Sequence, residues 1–152
     1  MELIEAARYG ELDEVKGLLN SPTPPQVNFQ DERGNTALMM ASANGHHEIV
    51  RTLLSAKADP NLSNRTKNTA LHWAALNGHL EVLRLLVEEG NAALNVKNDL
   101  RRTALDEAVR APEAQRSELV EYLTSKGAKM GEAVEASGSL CFTGMPAIAL
   151  AN

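Results

Sequence analysis

The sequence predicts an all-α solenoid of about four helix–turn–helix repeats joined by short β-hairpin fingers. Three observations carry this expectation. Thr36, Thr69 and Thr103 head similar stretches, 33 and 34 positions apart. Within the clearest stretch, Asn68 to Gly90 (NTALHWAALNGHLEVLRLLVEEG), two runs of good helix formers flank Gly78. The composition is 43% apolar but only 3% aromatic, with Ala and Leu dominant, which suits close-packed short helices better than a sheet.

The stretch from Asn68 to Gly90 organises the rest. Thr69 is placed as an N-cap, its hydroxyl free to take a backbone N–H of the first turn. Ala70 to Leu76 forms the first helix. His79 to Glu88 forms the second, with Leu80, Leu83, Leu86 and Val87 at helical spacing and Glu81, Arg84 and Glu88 left for solvent. Gly90 is expected to stop it. So short a pair cannot bury its own apolar stripe and needs a neighbour on each side. Those neighbours are Asn35 to Leu54 upstream and Arg102 to Val109 downstream.

A period of 33 with T-x-L-H-x-A and G-H-x-E resembles the ankyrin-repeat family. The resemblance runs from about residue 2 to residue 129 and is most specific in TALHWAALNGHLEVLRLLVEEG, where Ala70 stands in place of the usual proline. It implies repeats at about 2–26, 27–63, 64–97 and 98–129, followed by a tail, 130–152, that either caps the solenoid end or is mobile and docks on a partner.

In chain order, Glu2 to Tyr9 and Glu11 to Asn20 read as the helices of a terminal repeat without T-x-L-H. Ser21 to Gln26 (SPTPPQ) cannot be helical, because three prolines impose extended geometry. It reads as a stiff spacer or as a P-x-x-P ligand. Asp31-Glu32-Arg33-Gly34 resembles a hairpin turn with Gly34 at positive φ. Met39 stands where the family has histidine, so a helix-to-loop hydrogen bond is expected to be lost there. In the later fingers Lys67 and Arg101 occupy the glycine position. The turn Asn91 to Asn95 holds the extra residue behind the 34-residue spacing. The fourth repeat has Asp106 for the histidine and Glu107 where Trp73 stands one repeat earlier. Pro112 to Arg116 contains a three-residue insertion, after which Ser117 is expected to cap the last helix.

The formal net charge of −5 argues against bulk binding to nucleic acid or anionic membrane and favours a basic protein partner. One cysteine, Cys141, excludes an internal disulfide and points to a reducing compartment, cytoplasmic or nuclear. The amino terminus opens on an acidic helical pattern rather than a signal peptide. No apolar run approaches the roughly 20 residues of a membrane helix. The histidines, His46, His47, His72 and His79, do not form a convergent metal set. Cys141 has no local activating partner, and phosphate-binding and nucleophile-elbow motifs are absent. No enzyme activity, cofactor or metal is therefore expected, and the thiol-enzyme alternative rests on Cys141 alone.

The resemblance implies partner binding by finger tips and by the ends of the first helices. On this chain the tips are Glu32, Arg33, Asn35, Arg65, Thr66, Asn68, Asp99, Leu100 and Arg102. The helix positions are Arg8, Tyr9, Ala43, Asn44, Leu76, Asn77 and Arg110, with Met40 and Trp73 one turn earlier. Trp73 is either packing or an aromatic anchor. Fingers two and three are basic, whereas the second helices and both ends are acidic. A narrower resemblance, in NTALHWAxLNGxLxV, is to small fungal ankyrin-repeat chaperones of ribosomal protein S3. It implies a monomeric chaperone that shields a basic ribosomal protein during ribosome biogenesis. The alternative is an inhibitor or adaptor of a signalling protein such as a kinase.

Overall fold

A computed structural model describes residues 2–131. Its helices come in pairs: α1 (Glu2–Tyr9) with α2 (Leu12–Leu19), α3 (Ala37–Ala43) with α4 (His47–Ser55), α5 (Ala70–Leu76) with α6 (Leu80–Glu88), and α7 (Ala104–Val109) with α8 (Glu113–Ser125). The first helices pack in sequence, α1 on α3, α3 on α5 and α5 on α7; the second helices form the other row, α2 on α4, α4 on α6 and α6 on α8.

The rows differ in composition because they differ in burial. A central first helix is enclosed by both neighbours and by its own second helix. Ala37 to Ser42 on α3 are all buried, as are Ala70, Leu71, His72, Ala74 and Ala75 on α5. The alanines let these helices pack closely at native density, while Leu38, Met39 and Leu71 fill the space that remains. The second helices have one wet face and are amphipathic. Val82, Leu83, Leu85 and Leu86 of α6 are buried while Glu81 and Arg84 are exposed. Each such buried leucine contributes about 1.5–3 kcal/mol.

Threonines start the inner helices as expected. Thr36 Oγ1 accepts the Met39 N–H at 3.2 Å, and Thr69 and Thr103 each form a capping box with the residue three positions on. Gly10, Gly45 and Gly78 end the first helices at φ values of +79°, +75° and +81°. Here a side chain would meet both the left-handed penalty and a neighbour.

The expected β-hairpin fingers take a smaller form. No strand is present among the described residues. Each connection is a tight turn headed by Asp31, Asn64 or Asn98, whose side-chain oxygen accepts two backbone N–H groups, two and four residues on. One backbone bond then joins successive turns: Arg65 N–H to the Arg33 carbonyl, and Asp99 N–H to that of Thr66, both at 3.0 Å. A single bond per neighbour is too little to make a ladder.

Lys67 and Arg101 hold the left-handed conformation of Gly34, at φ +62° and +61° against +81°. Non-glycine residues pay about 1–2 kcal/mol for this. Lys67 is exposed, so Lys67→Gly should raise unfolding free energy by about 0.5–1 kcal/mol. Urea denaturation monitored by circular dichroism measures the gain.

Two boundaries depart from the sequence reading. Ser117 lies inside α8, which starts at Glu113 behind Pro112. The inserted residues extend the helix by a turn, because Glu113, Ala114, Gln115 and Arg116 are strong helix formers and proline is tolerated at a helix start. The Arg116 guanidinium also donates to the Ala111 carbonyl. After α6 the left-handed residue is Asn91 (φ +54°), not Gly90. Gly90 is needed for room instead: a Cβ there would lie 2.8 Å from the Leu86 carbonyl oxygen and 3.1 Å from Leu54. The expectations for the tail from Glu132 onward, Cys141 included, fall outside the described residues.

Candidate protein-binding surface

The turns and inner helices are held in register by polar side chains that reach from repeat to repeat. Asn64 Nδ2 donates to Asn35 Oδ1 at 2.9 Å, and Asn98 Nδ2 to Asn68 Oδ1 at 2.8 Å. At the base of the repeats Asn28, Asn61 and Asn95 accept the backbone N–H groups of Asp59, Ala93 and Lys129 at 2.7–2.8 Å. The sequence reading missed both series. The signal was present: these asparagines recur at the repeat spacing.

Three of the histidines, His46, His72 and His79, bond from one repeat to the next. His46 and His79 lie 3.1 Å by Nε2 from the carbonyls of Arg8 and Ala43 in the preceding repeat. His72 is buried. It accepts the Thr69 N–H at Nδ1, so its proton sits on Nε2 and is donated to the Arg102 carbonyl at 2.9 Å. Met39, equally buried, has no such bond to give. Asp106 reverses the polarity: its carboxylate accepts from Thr103 and from the Gly131 N–H.

Burial is the main cause holding the His72 pKa below its ordinary 6.5, partly offset by the Arg102 carbonyl and the charges of Glu107 and Asp106. The unfolded chain therefore binds the proton first as pH falls. Stability should be fully present above about pH 6.5 and decline as pH drops from there toward the lower folded value. The measurement is denaturant unfolding across this range for the native chain and His72→Gln. The variant should be less stable at neutral pH, with a shallower loss on acidification.

Many of the expected contact residues converge. A groove of about 400 Å³ lies between the third and fourth repeats. The turn 64–68 contributes Thr66 and Asn68, and α5 contributes His72, Trp73 and Leu76. The turn 98–102 contributes Asn98, Asp99, Leu100 and Arg102, while α7 contributes Glu107 and its cap residue Arg110. Trp73 with Leu76, and Glu107 with Arg110, are each three apart and share a helix face. Leu100 is 59% exposed. Trp73 is half-buried; its Nε1 is enclosed with no hydrogen-bond partner among the described residues. Glu107, which the sequence reading left out of the surface, has a role in shaping it. It is 5% exposed, and its carboxylate accepts from Asn98 Nδ2 at 2.9 Å. Asn98 in turn accepts the N–H groups of Leu100 and Arg102, so Glu107 anchors the turn that displays them.

The remaining expected positions lie elsewhere. Arg65 is exposed on the second turn and Glu32 and Arg33 on the first, whereas Asn35 is buried in the asparagine series. Met40 is buried beneath Arg8, whose guanidinium contacts the Met40 sulfur and Glu5. Tyr9 is 68% exposed at the end of α1. Ala43, Asn44 and Asn77 sit at the ends of α3 and α5, where Asn77 Nδ2 donates to the Ala43 carbonyl and Asn44 Nδ2 to that of Met40. Another crevice, of about 130 Å³, is lined by Leu3, Ile4, Pro25, Gln26, Val27, Phe29 and Ala37. Among the described residues no His, Cys, Asp and Glu cluster has metal-binding geometry, and no helix is long and apolar enough to cross a membrane.

Comparison with known proteins matches the same repeats. The family model described as ankyrin repeats (3 copies) aligns with residues 3–98 and 56–133. The chain is 46% identical over 63 residues to human oxysterol-binding protein-related protein 1, covering 41% of this chain and 7% of that protein. It is 44% identical over 62 residues to human mitochondrial disaggregase, covering 41% and 8%. It is 49% identical over 57 residues to zebrafish ankyrin repeat domain-containing protein 29, covering 38% and 19%. Only a small part of each relative is therefore shared. Stacked helix pairs, threonine-capped inner helices and a family model over most of the described residues agree: this chain belongs to the ankyrin-repeat family.

Proposed function

We propose that the chain is a non-catalytic protein-binding module whose principal contact surface is the groove between the third and fourth repeats. Family membership supports protein binding. The observation that carries the site is convergence: two turns and two helices bring Trp73, Leu76 and the exposed Leu100 beside Arg102 and Arg110. A partly open tryptophan beside two arginines has the composition of an interface hot spot, and the leucines add apolar area around it.

The test is affinity capture from a eukaryotic lysate, read by mass spectrometry at low and high salt and repeated with Trp73→Ala plus Leu100→Ala. The expected result is a partner recovered by the native chain and lost with the double variant. Unchanged recovery would remove the groove from the interface. Cys141→Ser should leave capture intact.

A second reading has its own observation. Glu11, Asp13, Glu14, Glu81, Glu118 and Glu121 are all exposed on the second helices or before α2. That acidic outer side favours a basic client and supports the reading as a chaperone for a ribosomal protein. Its client would be recovered at low salt, lost at high salt, and indifferent to the groove variant. A signalling partner such as a kinase would instead survive salt and depend on the groove.

A further inference from the structure

The charge around the groove is opposite to that of the molecule. The chain carries a formal net charge of −5. Yet Arg102 and Arg110 line the groove, and Arg65 and Lys67 are exposed on the turn that supplies Thr66 and Asn68. The carboxylates at the same place are Asp99, which is exposed, and Glu107, which is buried and already accepts from Asn98. Glu107 also lies 4.0 Å from Arg110 and offsets part of its charge, so the balance of charge at the turns is net positive. The first turn differs: Asp31 and Glu32 accompany Arg33. The basic character is local to the turns beside Trp73 and Leu100.

We infer that the groove receives an acidic, extended segment of a partner protein, anchored by one large apolar side chain against Trp73, Leu76 and Leu100. This rests on the groove reading above and adds the chemistry of its occupant. Three observations fix that chemistry. Of the cations lining the groove, Arg102 lies on a turn and Arg110 at the end of α7, whereas Trp73 and Leu76 lie on α5, so charge and apolar contact would come from different parts of one segment. Leu100, on the turn between Asp99 and Arg101, is 59% exposed and lines the same groove as the half-buried Trp73 and Leu76, so apolar surface is on offer beside the charge. The backbone of both turns is closed on itself and on its neighbour, with the N–H groups of residues 98, 99, 101 and 102 all taken. Recognition therefore falls to side chains, and strand addition to the turn is disfavoured.

The test is selection of random dodecapeptides displayed on phage against the immobilised chain, followed by fluorescence titration of the enriched peptides. Trp73 is the one tryptophan and reports directly on the groove. The expected peptides are net negative with one large apolar residue and change Trp73 emission. Their affinity should fall more than tenfold with Arg65→Glu plus Arg102→Glu and several-fold with Arg65→Gln plus Arg102→Gln. It should also fall between about 0.05 M and about 0.5 M salt. Circular dichroism melting checks that each variant is folded.

Enrichment of net-basic or neutral peptides that still change Trp73 emission would overturn the acidic assignment while leaving the groove as the binding site. Competition by a single-stranded oligonucleotide at equal or higher affinity would overturn the protein-segment assignment. Peptides that bind equally well to Trp73→Ala plus Leu100→Ala, measured by titration calorimetry because that variant has no tryptophan, or no enrichment at all, would overturn both the occupant and the groove.

Discussion

Asn98→Ala is expected to lower unfolding free energy by about 3 kcal/mol and to weaken partner binding in the same step. The side chain is 6% exposed and uses both ends of its amide. Its nitrogen donates to Asn68 Oδ1 and Glu107 Oε2, and its oxygen accepts from Leu100 and Arg102. Truncation removes four bonds, two of them within the turn. It also leaves the buried Glu107 carboxylate without that donor. Hydrogen bonds to charged groups contribute about 1.5–3 kcal/mol, and groups left unpaired in the interior carry the larger penalty. The check is a denaturation midpoint with unchanged slope. Replacing both partners separates the causes: Asn98→Ala with Glu107→Leu should recover part of the stability, because the stranded charge is gone. It should not recover binding, because the turn that displays Leu100 and Arg102 is still unheaded.

Gly45→Ala should be comparably damaging, at about 3 kcal/mol, for steric reasons. Gly45 has φ +75°, which costs a non-glycine residue about 1–2 kcal/mol. A Cβ built there would lie 2.7 Å from His79 Nδ1, well inside contact distance. His79 would have to move, and its 3.1 Å approach to the Ala43 carbonyl would be lost. Overpacking of this kind adds about 1–3 kcal/mol. Gly17 is the control. A Cβ at that position would meet nothing within 4 Å, and the residue lies within α2, so Gly17→Ala should raise stability by about 0.5–1 kcal/mol. Thermal melting of both variants beside the native chain measures the contrast. An unchanged midpoint for Gly45→Ala would mean that His79 yields without cost.

The helix pairs were legible because their signals are local. Threonine before Ala-Leu, glycine after the first helix and leucines at helical spacing each act within a few residues, and the two central pairs display them together. The end of the fourth was misread at Ser117. A serine at the start of an apolar run is a good cap in isolation, but Pro112 and the helix formers after it start the helix earlier. Gln115 then packs 3.3 Å from where a Gly78 side chain would be, close to the place that His79 occupies over Gly45. That substitution depends on contact between repeats and leaves no trace in the sequence near it. The asparagine series were missed for a related reason. An asparagine in a turn reads as a local turn former, and its second partner, some 30 residues away, appears only when the repeats are stacked. The groove lies between these cases. Most of its lining residues followed from the resemblance, whereas Glu107 did not, because an acidic residue on an inner helix gives no hint that it is buried against Asn98.

The polar links between repeats are unequal along the chain, and this has a mechanical consequence. The first repeat is joined to the second by His46 on the Arg8 carbonyl and by Arg8 on the Met40 sulfur. The third and fourth share His72 on the Arg102 carbonyl, Asn98 on Asn68, Asp99 N–H on the Thr66 carbonyl, and Tyr122 on Glu88. Stretched between its ends, the solenoid should peel from the amino-terminal side first. The two walls of the groove would stay joined under loads that have already stripped the leading pair, so a tethered molecule would keep its grip while part of it extends.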